Sequence, residues 1–430
     1  MNKITLKDIA GYEVEKQEAL KIINFLKNYE EYIKLGIKLP KGLLLSGIPG
    51  VGKTLLAKAI ANESGANFVE FKTNEDSTIQ NIRDTFAKAK AVTPSILFID
   101  ELDEIVTCRY GEVTDEQKKT LQAFLTEIDG LTQSLGVIVI ATCNQKGDIP
   151  MALTRSGRLE KHMTISKPSF EARVKIFDLY MSKHGILNDI DRELLAKKSN
   201  GLTGADICNL TNEVLLECNS KGTKPTLDDF ERYIPQILFK DVCKQNNSEL
   251  LEFVLAHEIG HFITTFVLKN EISSITVDKY GEVAGFISRN RKEAEVIKSS
   301  SFLNDITILL SGLAGEKAIL NDMTTGAIDD ISRANDMIEG MLNIGVYGFE
   351  YFKERRMSPY HNDKLYPESK IKMREDKIAS ILNDSLERAV NIIKDNINIY
   401  HLLVDELRNE GRLSSERIKQ IFIANNIKVD

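Results

Sequence analysis

No apolar run in this 430-residue chain is of membrane-spanning length; the longest, GVIVIA and SILFI, are as short as strands. The amino terminus, MNKITLKDIAGYEVEK, lacks the apolar core of a signal peptide. Cysteine is scarce. The five present (Cys108, Cys143, Cys208, Cys218 and Cys243) form no Cys-x-x-Cys pair and leave one over in any pairing. That excludes a disulfide-stapled scaffold and fits a reducing compartment, so all five are read as buried thiols. Basic residues are dispersed and the formal net charge is −7, which excludes a general affinity for nucleic acid. There is no internal repeat and no low-complexity tract. What remains is the composition of a soluble globular protein, 42% hydrophobic and 28% charged, in a chain too long for one core.

Three segments follow along the chain. From Lys41 to Lys167, short β-branched runs (GLLLSG, SILFID, GVIVIATCN) alternate with amphipathic stretches such as IQNIRDTFAKAKAV, the pattern of a parallel sheet flanked by helices. After Pro168, helical periodicity takes over through FEARVKIFDLYMSKHG and GADICNLTNEVLLECN. The expected divisions are a large α/β segment over residues 1–168, a small helical segment over 169–240, a polar linker over 241–249 and a mainly helical segment over 250–430. Within the last, SSITVDKYGEVAGFIS reads as a hairpin with its turn near Lys279-Tyr280-Gly281.

GIPGVGKT, Gly47 to Thr54, follows an apolar strand and opens a helical run. Backbone N–H groups of such a loop converge on phosphate oxygens; Lys53 can reach the β and γ phosphates and Thr54 can offer a hydroxyl to Mg²⁺. Pro49, Gly50, Val51, Gly52 and Leu55 complete the expected phosphate cradle. ILFIDE ends a doubly buried strand in two carboxylates at the sheet edge where α/β folds bind ligands. Asp100 is expected to hold Mg²⁺ through water and Glu101 to orient the attacking water. Asn144, at the end of GVIVIATCN, is expected near the γ-phosphate. No Asn-Lys-x-Asp guanine motif is present, NQKGD being the nearest stretch, so ATP is favoured. Arg155, Arg158 and Lys161, three residues apart, read as finger residues for a neighbouring subunit's nucleotide.

Val254 to Phe266 reads VLAHEIGHFITTF, placing two of the chain's six histidines four positions apart. On a helix His257 and His261 share a face and can grip one ion, with Glu258 beside them as general base. A zinc ion there lowers the pKa of water and polarises a scissile carbonyl. A hydrolytic zinc also needs a third protein ligand, and Glu316, Asp329 and Asp330 are the downstream candidates, among which spacing does not choose.

Together these motifs resemble the FtsH family of AAA zinc metalloproteases over nearly the whole chain. The resemblance runs from ITLKDIAGYEVEK through the P-loop, ATCN, LTRSGR and NGLTGADICNLTNEV to HEIGH and TTGAIDD. It implies an α/β P-loop AAA+ ATPase domain with a helical lid, then a mainly α-helical zinc metallopeptidase domain. It also implies one Zn²⁺ per subunit, ATP with Mg²⁺, a homo-hexamer, and unfolded or damaged proteins as substrates. By the family pattern Ala10 and Gly11 line the adenine pocket, Gly204 and Ala205 touch nucleotide from the lid, and the third zinc ligand is Asp330. Three features depart from that pattern: Lys161 stands where a second finger arginine is usual, Asp129-Gly130-Leu131 replaces an Asp-Gly-Phe, and FKTNEDSTIQNIRD carries no aromatic pore loop. Tyr110 is a candidate substitute. Family members carry amino-terminal membrane helices, and none is encoded here; a cytoplasmic location is expected, or a membrane-associated one if an anchor precedes. The leading function is ATP-dependent proteolysis. The alternatives are a zinc peptidase whose ATPase mainly assembles the ring, and a remodelling ATPase with an idle metal site.

Overall fold

The computed structural model describes residues 4–37, 40–71, 79–106, 115–131, 136–186, 190–239, 242–243, 248–277, 279–280, 286–287, 298–348 and 368–428. Two compact units are present, Met1–Ala196 with Gly201–Glu213, and Lys197–Asn200 with Val214–Asp430.

In the first unit, α1 (Glu13–Lys27) and α2 (Tyr29–Lys34) precede the alternation β1 (Gly42–Ser46), α3 (Lys53–Ser64), β2 (Asn67–Phe71), α4 (Ile79–Ala91), β3 (Ser95–Ile99), α5 (Leu102–Val106), α6 (Asp115–Asp129), β4 (Val137–Cys143), α7 (Met151–Thr154) and β5 (Lys161–Thr164). All five strands are parallel, in the order β2-β3-β4-β1-β5. The β1, β3 and β4 strands are buried at every position and largely apolar because successive side chains enter two different cores. Leu43, Leu45, Ile96, Phe98, Ile138 and Ile140 pack under α1 and α3, while Leu44, Leu97, Ile99 and Val139 pack under α4 and α6. The phosphate loop and the strand-end carboxylates therefore meet at one edge of the sheet. Helices α8 (Phe170–Lys183) and α9 (Arg192–Lys198) follow, then α10 (Gly204–Lys221). Ser169 caps α8 by accepting from the Ala172 N–H, and Thr203 with Asp206 forms a capping box that starts α10 at Gly204.

The second unit takes up α11 (Leu227–Phe239), β6 (Val242–Cys243), α12 (Ser248–Lys269), β7 (Ile275–Thr276), β8 (Lys279–Tyr280), β9 (Phe286–Ile287), α13 (Ser299–Leu309), α14 (Ser311–Leu320), α15 (Ile328–Asn343), α16 (Glu368–Asp395), α17 (Ile397–Glu410), β10 (Arg412–Leu413) and α18 (Ser415–Ala424). Helix α12 is at its centre: Leu255, Ile259, Phe262 and Ile263 are fully buried against residues of α14, α16, α17 and α18. A buried ion pair, Lys198–Glu231 at 3.1 Å, is completed by the Ser415 hydroxyl donating to Glu231 at 3.0 Å. Among the described residues only Leu250–Lys269 is long and apolar enough to cross a membrane, and it is 61% buried as this core helix.

Two expectations are corrected. The hairpin pairs Ile275 with Ile287 and Thr276 with Phe286, but Lys279-Tyr280 are not its turn: they pair antiparallel with Val242-Cys243, and that backbone pairing holds them extended. Gly281 lies outside the described residues. Cys143 and Cys218 are buried as expected, whereas Cys208 is only half-buried, on a face of α10 that reaches solvent; the side chains of Cys108 and Cys243 lie outside the described residues.

Candidate functional site

The nucleotide side of the chain is assembled on β1, β3 and β4. Gly47 has φ +155°, and a Cβ there would stand 2.2 Å from the Ile165 carbonyl oxygen, so the loop leaves β1 only through glycine. Gly50, at φ +83°, accepts the Ala205 N–H at 3.0 Å through its carbonyl, which brings Gly204-Ala205 of α10 onto the loop. Pro49 is exposed, Val51 buried, and Gly52 immediately precedes α3, whose first turn carries Lys53, Thr54 and Leu55. The open N–H groups of that turn and the helix dipole favour an anion. The Lys53 ammonium donates to the carbonyls of Gly47 and Ile48 and to Asn144 Oδ1. Burial pulls its pKa down, against the opposing charges of Asp100, Asp103 and Glu101.

Asp100 accepts from the Thr54 hydroxyl at 3.2 Å. It also accepts from the Thr142 hydroxyl, at 2.5 Å, and Thr142 in turn accepts the Glu101 N–H at 2.9 Å. Glu101 is exposed with φ +51°, and partial burial together with Glu104, Asp100 and Asp103 raises its carboxyl above the ordinary range. The Asn144 N–H is held at 3.2 Å by Asp103, a fully buried carboxylate. At the amino end, Ala10 is half-buried and Gly11, at φ +73°, presses on Ala172, where a Cβ would come within 2.5 Å of the alanine methyl.

Arg158 is engaged within its own chain. Its Nε and Nη2 donate to Asp129 at 2.8 Å each, and Nη1 donates to the Ala152 carbonyl at 2.6 Å. Arg155 and Lys161 are exposed, Arg155 capping α7 and Lys161 opening β5. Tyr110 and residues 72–78 of the polar FKTNEDST stretch lie outside the described residues.

The metal side is built where α12 crosses α14. The crossing is close because Gly260 faces Gly315: a Cβ on Gly315 would stand 2.1 Å from the Ala256 carbonyl oxygen. His257 Nδ1 lies 2.7 Å from Glu316 Oε1, and His261 Nδ1 lies 2.8 Å from the Ile308 carbonyl and 3.0 Å from the Ser311 hydroxyl. Both Nδ1 atoms therefore face acceptors, which favours the tautomer that leaves Nε2 as a lone-pair donor. Glu316 is itself held by the Thr324 N–H at 2.6 Å. Asp330, in the first turn of α15, brings Oδ2 to 2.9 Å from His261 Nε2 and 3.7 Å from His257 Nε2. Asp329 is exposed and Glu258 is buried.

The donor set fits a zinc ion on two counts. Ligand atoms about 2.0–2.1 Å from a tetrahedral ion stand roughly 3.3 Å apart; the two Asp330 separations, 2.9 and 3.7 Å, lie either side of that distance, and all three ligand atoms lie within 4.8 Å of one another. A Cβ on Gly312 would lie 2.3 Å from His257 Nε2 and 2.6 Å from His261 Nε2, so the space between the imidazoles is kept clear by the absence of a side chain. The surroundings call for positive charge: burial acts to lower the pKa of His257, yet its hydrogen bonds to Asp330 and Glu316, with the charge of Glu258, push it up to about 10. His257, His261 and Asp330 could thus hold one divalent ion. Glu316, an open candidate by spacing, is instead the acceptor behind His257.

Sequence reasoning missed Thr142, Asp103, Gly312 and the orienting contact of Glu316. The one available signal was spacing on α14, where Gly312 and Glu316, four residues apart, share a face.

An α/β nucleotide site on a parallel sheet and a His-Glu-x-x-His centre on a core helix define an AAA ATPase joined to a metallopeptidase. Family models agree: residues 43–167 match the ATPase family associated with various cellular activities (AAA), and residues 245–421 match peptidase family M41. The ATP-dependent zinc metalloprotease FtsH 1 of Petrotoga mobilis is 32% identical over 98% of this chain and 68% of its own length. FtsH 1 of Thermoanaerobacter sp. is 31% identical over 99% of the chain and 74% of its own length, and FtsH of Karelsulcia muelleri 32% over 98% and 71%. The chain belongs to the FtsH family.

Proposed function

We propose that this chain is an ATP-dependent zinc endopeptidase that works as a homo-hexameric ring on unfolded or partly folded proteins. The observation that carries the reading is the convergence of His257 Nε2, His261 Nε2 and Asp330 Oδ2 on a gap floored by Gly312. When bound there, zinc supplies a Lewis acid that lowers the pKa of water and polarises the scissile carbonyl. Glu258, adjacent on the same helix, takes the proton of the attacking water and passes it to the leaving amine. Glu316, Ile308 and Ser311 hold the two imidazoles in the tautomer and rotation this requires.

In the ATPase the loop from Pro49 to Leu55 wraps the phosphates, Lys53 neutralises them, and Thr54 with Asp100 positions Mg²⁺. Glu101, its carboxyl raised by partial burial and by its acidic neighbours, orients the water, and Asn144 contacts the γ-phosphate. Ala10, Gly11, Gly204 and Ala205 enclose the nucleoside. Arg158 and Arg155 serve a neighbour's nucleotide. One observation supports a second reading, in which the ATPase mainly assembles the ring: the Arg158 guanidinium donates to Asp129 and to the Ala152 carbonyl of its own chain.

Degradation assays on the zinc-loaded chain separate the two. The first reading requires ATP-stimulated cleavage of an unfolded protein that Glu101→Gln reduces to its ATP-free level. Cleavage indifferent both to ATP and to Glu101→Gln would leave the second.

A further inference from the structure

We infer that Thr142 is a positioning residue for ATP hydrolysis: one buried hydroxyl holds the Asp100 carboxylate and the Glu101 backbone together and ties both to the strand that leads into Asn144. The inference rests on the roles proposed above for Asp100 and Glu101.

The geometry leaves this hydroxyl one arrangement. Thr142 is fully buried near the end of β4, just beyond the last β3–β4 pair, Ile99 with Ala141. Its Oγ1 lies 2.5 Å from Asp100 Oδ1 and 2.9 Å from the Glu101 nitrogen. A carboxylate only accepts and an amide N–H only donates, so the proton order is forced: Glu101 N–H to the hydroxyl, hydroxyl to Asp100. Such a chain strengthens both of its bonds, each polarising the other. The Thr54 hydroxyl donates to the same carboxylate, chiefly to Oδ2 at 3.2 Å. Asp100 is thus clamped from the phosphate-loop helix on one side and from β4 on the other, which sets the carboxylate plane offered to Mg²⁺.

The second consequence falls on Glu101. At φ +51° its backbone is left-handed, a region that residues with a side chain seldom adopt unless something holds them there. The N–H bond to Thr142 is such a hold, made at the turn that carries the glutamate from β3 to the solvent side of the site. Two residues beyond Thr142, Asn144 accepts from Lys53 through Oδ1. A displacement of the β4 end by the γ-phosphate would therefore reach Mg²⁺ and the attacking water through one side chain.

A β-branched residue in a central strand is also simply good packing, and valine preserves that while removing the hydroxyl. The test uses the full chain carrying Thr142→Val, Thr142→Ala or Thr142→Ser. Steady-state ATP hydrolysis is measured across a Mg²⁺ series, binding of a fluorescent ATP analogue is measured with and without Mg²⁺, and Glu101→Gln is run in parallel. We expect Val and Ala to lower kcat roughly tenfold or more and to raise the Mg²⁺ needed for half-maximal rate, with analogue affinity within about threefold of the parent. Serine should restore most of the rate. Parental kcat and Mg²⁺ dependence in Thr142→Val would overturn the inference. So would equal losses in all three variants with equally lowered melting temperatures, which would make the role one of packing. Normal hydrolysis by Glu101→Gln would sink the reading of the site itself, whereas an inactive Glu101→Gln beside a fully active Thr142→Val would sink only the role of Thr142.

Discussion

Gly312→Ala adds a single methyl group and should remove the metal while leaving the fold. The backbone at Gly312 is ordinary helix within α14, so alanine fits its dihedrals and gains about 1 kcal/mol of helix propensity. The methyl, however, would lie 2.3 Å from His257 Nε2 and 2.6 Å from His261 Nε2, about 1 Å inside ordinary contact. Helix α14 cannot retreat cheaply, because Gly315 already lies against the α12 backbone at Ala256 and Gly260. The imidazoles must rotate instead, and rotation breaks the Nδ1 contacts at 2.7 Å to Glu316 and 2.8 Å to Ile308. Each buried hydrogen bond lost costs about 1–3 kcal/mol, so the net penalty on the metal-binding geometry is about 1–5 kcal/mol. At about 1.4 kcal/mol per decade, zinc affinity should fall roughly 5- to 4,000-fold. The assay is zinc per chain by elemental analysis after dialysis at buffered free zinc, with competition against a chromophoric chelator for the affinity. ATP hydrolysis and the far-ultraviolet circular dichroism spectrum serve as controls for folding. One zinc per chain at parental affinity in Gly312→Ala would refute the reasoning, since the space between the imidazoles would then not be where the ion sits.

Three further outcomes are expected. His257→Ala, His261→Ala and Asp330→Ala should each lose zinc, whereas Glu258→Gln should keep it and lose proteolysis, because Gln preserves shape but takes no proton; retained zinc in Asp330→Ala with loss in Glu316→Ala would reverse the ligand assignment. Arg158→Ala should cut ATP turnover by about 10³ if the arginine serves a neighbour's site, and mixing it with Glu101→Gln subunits should restore part of the rate; no recovery at any mixing ratio would mean that Arg158 acts only within its own chain. Glu217, bonded to Lys221 and Arg232, has its carboxyl lowered from 4.5 to about 2, so its contribution to stability is complete above 4.5 and is lost as pH falls toward 2. Melting curves should therefore show Glu217→Gln less stable than the parent at pH 6, with the gap closing by pH 2.5; a pH-independent gap would remove the ion pairs as its cause.

The sequence by itself determined the parts whose chemistry is carried by neighbours in the chain. GIPGVGKT between a strand and a helix, ILFIDE at a strand end and HEIGH on one helical face are legible because secondary-structure periodicity alone sets the relative directions of their side chains. Even the parallel sheet was readable, since β1, β3 and β4 are predominantly apolar on both faces, as strands covered on both sides must be. Only the tertiary structure decided which distant groups meet. Spacing left Glu316, Asp329 and Asp330 equivalent; the glycine crossing of α12 and α14 puts Glu316 behind His257, 59 residues away, while the first turn of α15 brings Asp330 to His261, 69 residues away. Arg158 looked free to reach outward until Asp129, 29 residues earlier, was found gripping it. Thr142 read as one more β-branched residue in a buried strand until the register of β4 against β3 set its hydroxyl between Asp100 and Glu101. A hydrogen bond across strands or helices depends on a register and a packing distance that no local pattern encodes, and that is why these residues stayed silent until the chain was folded.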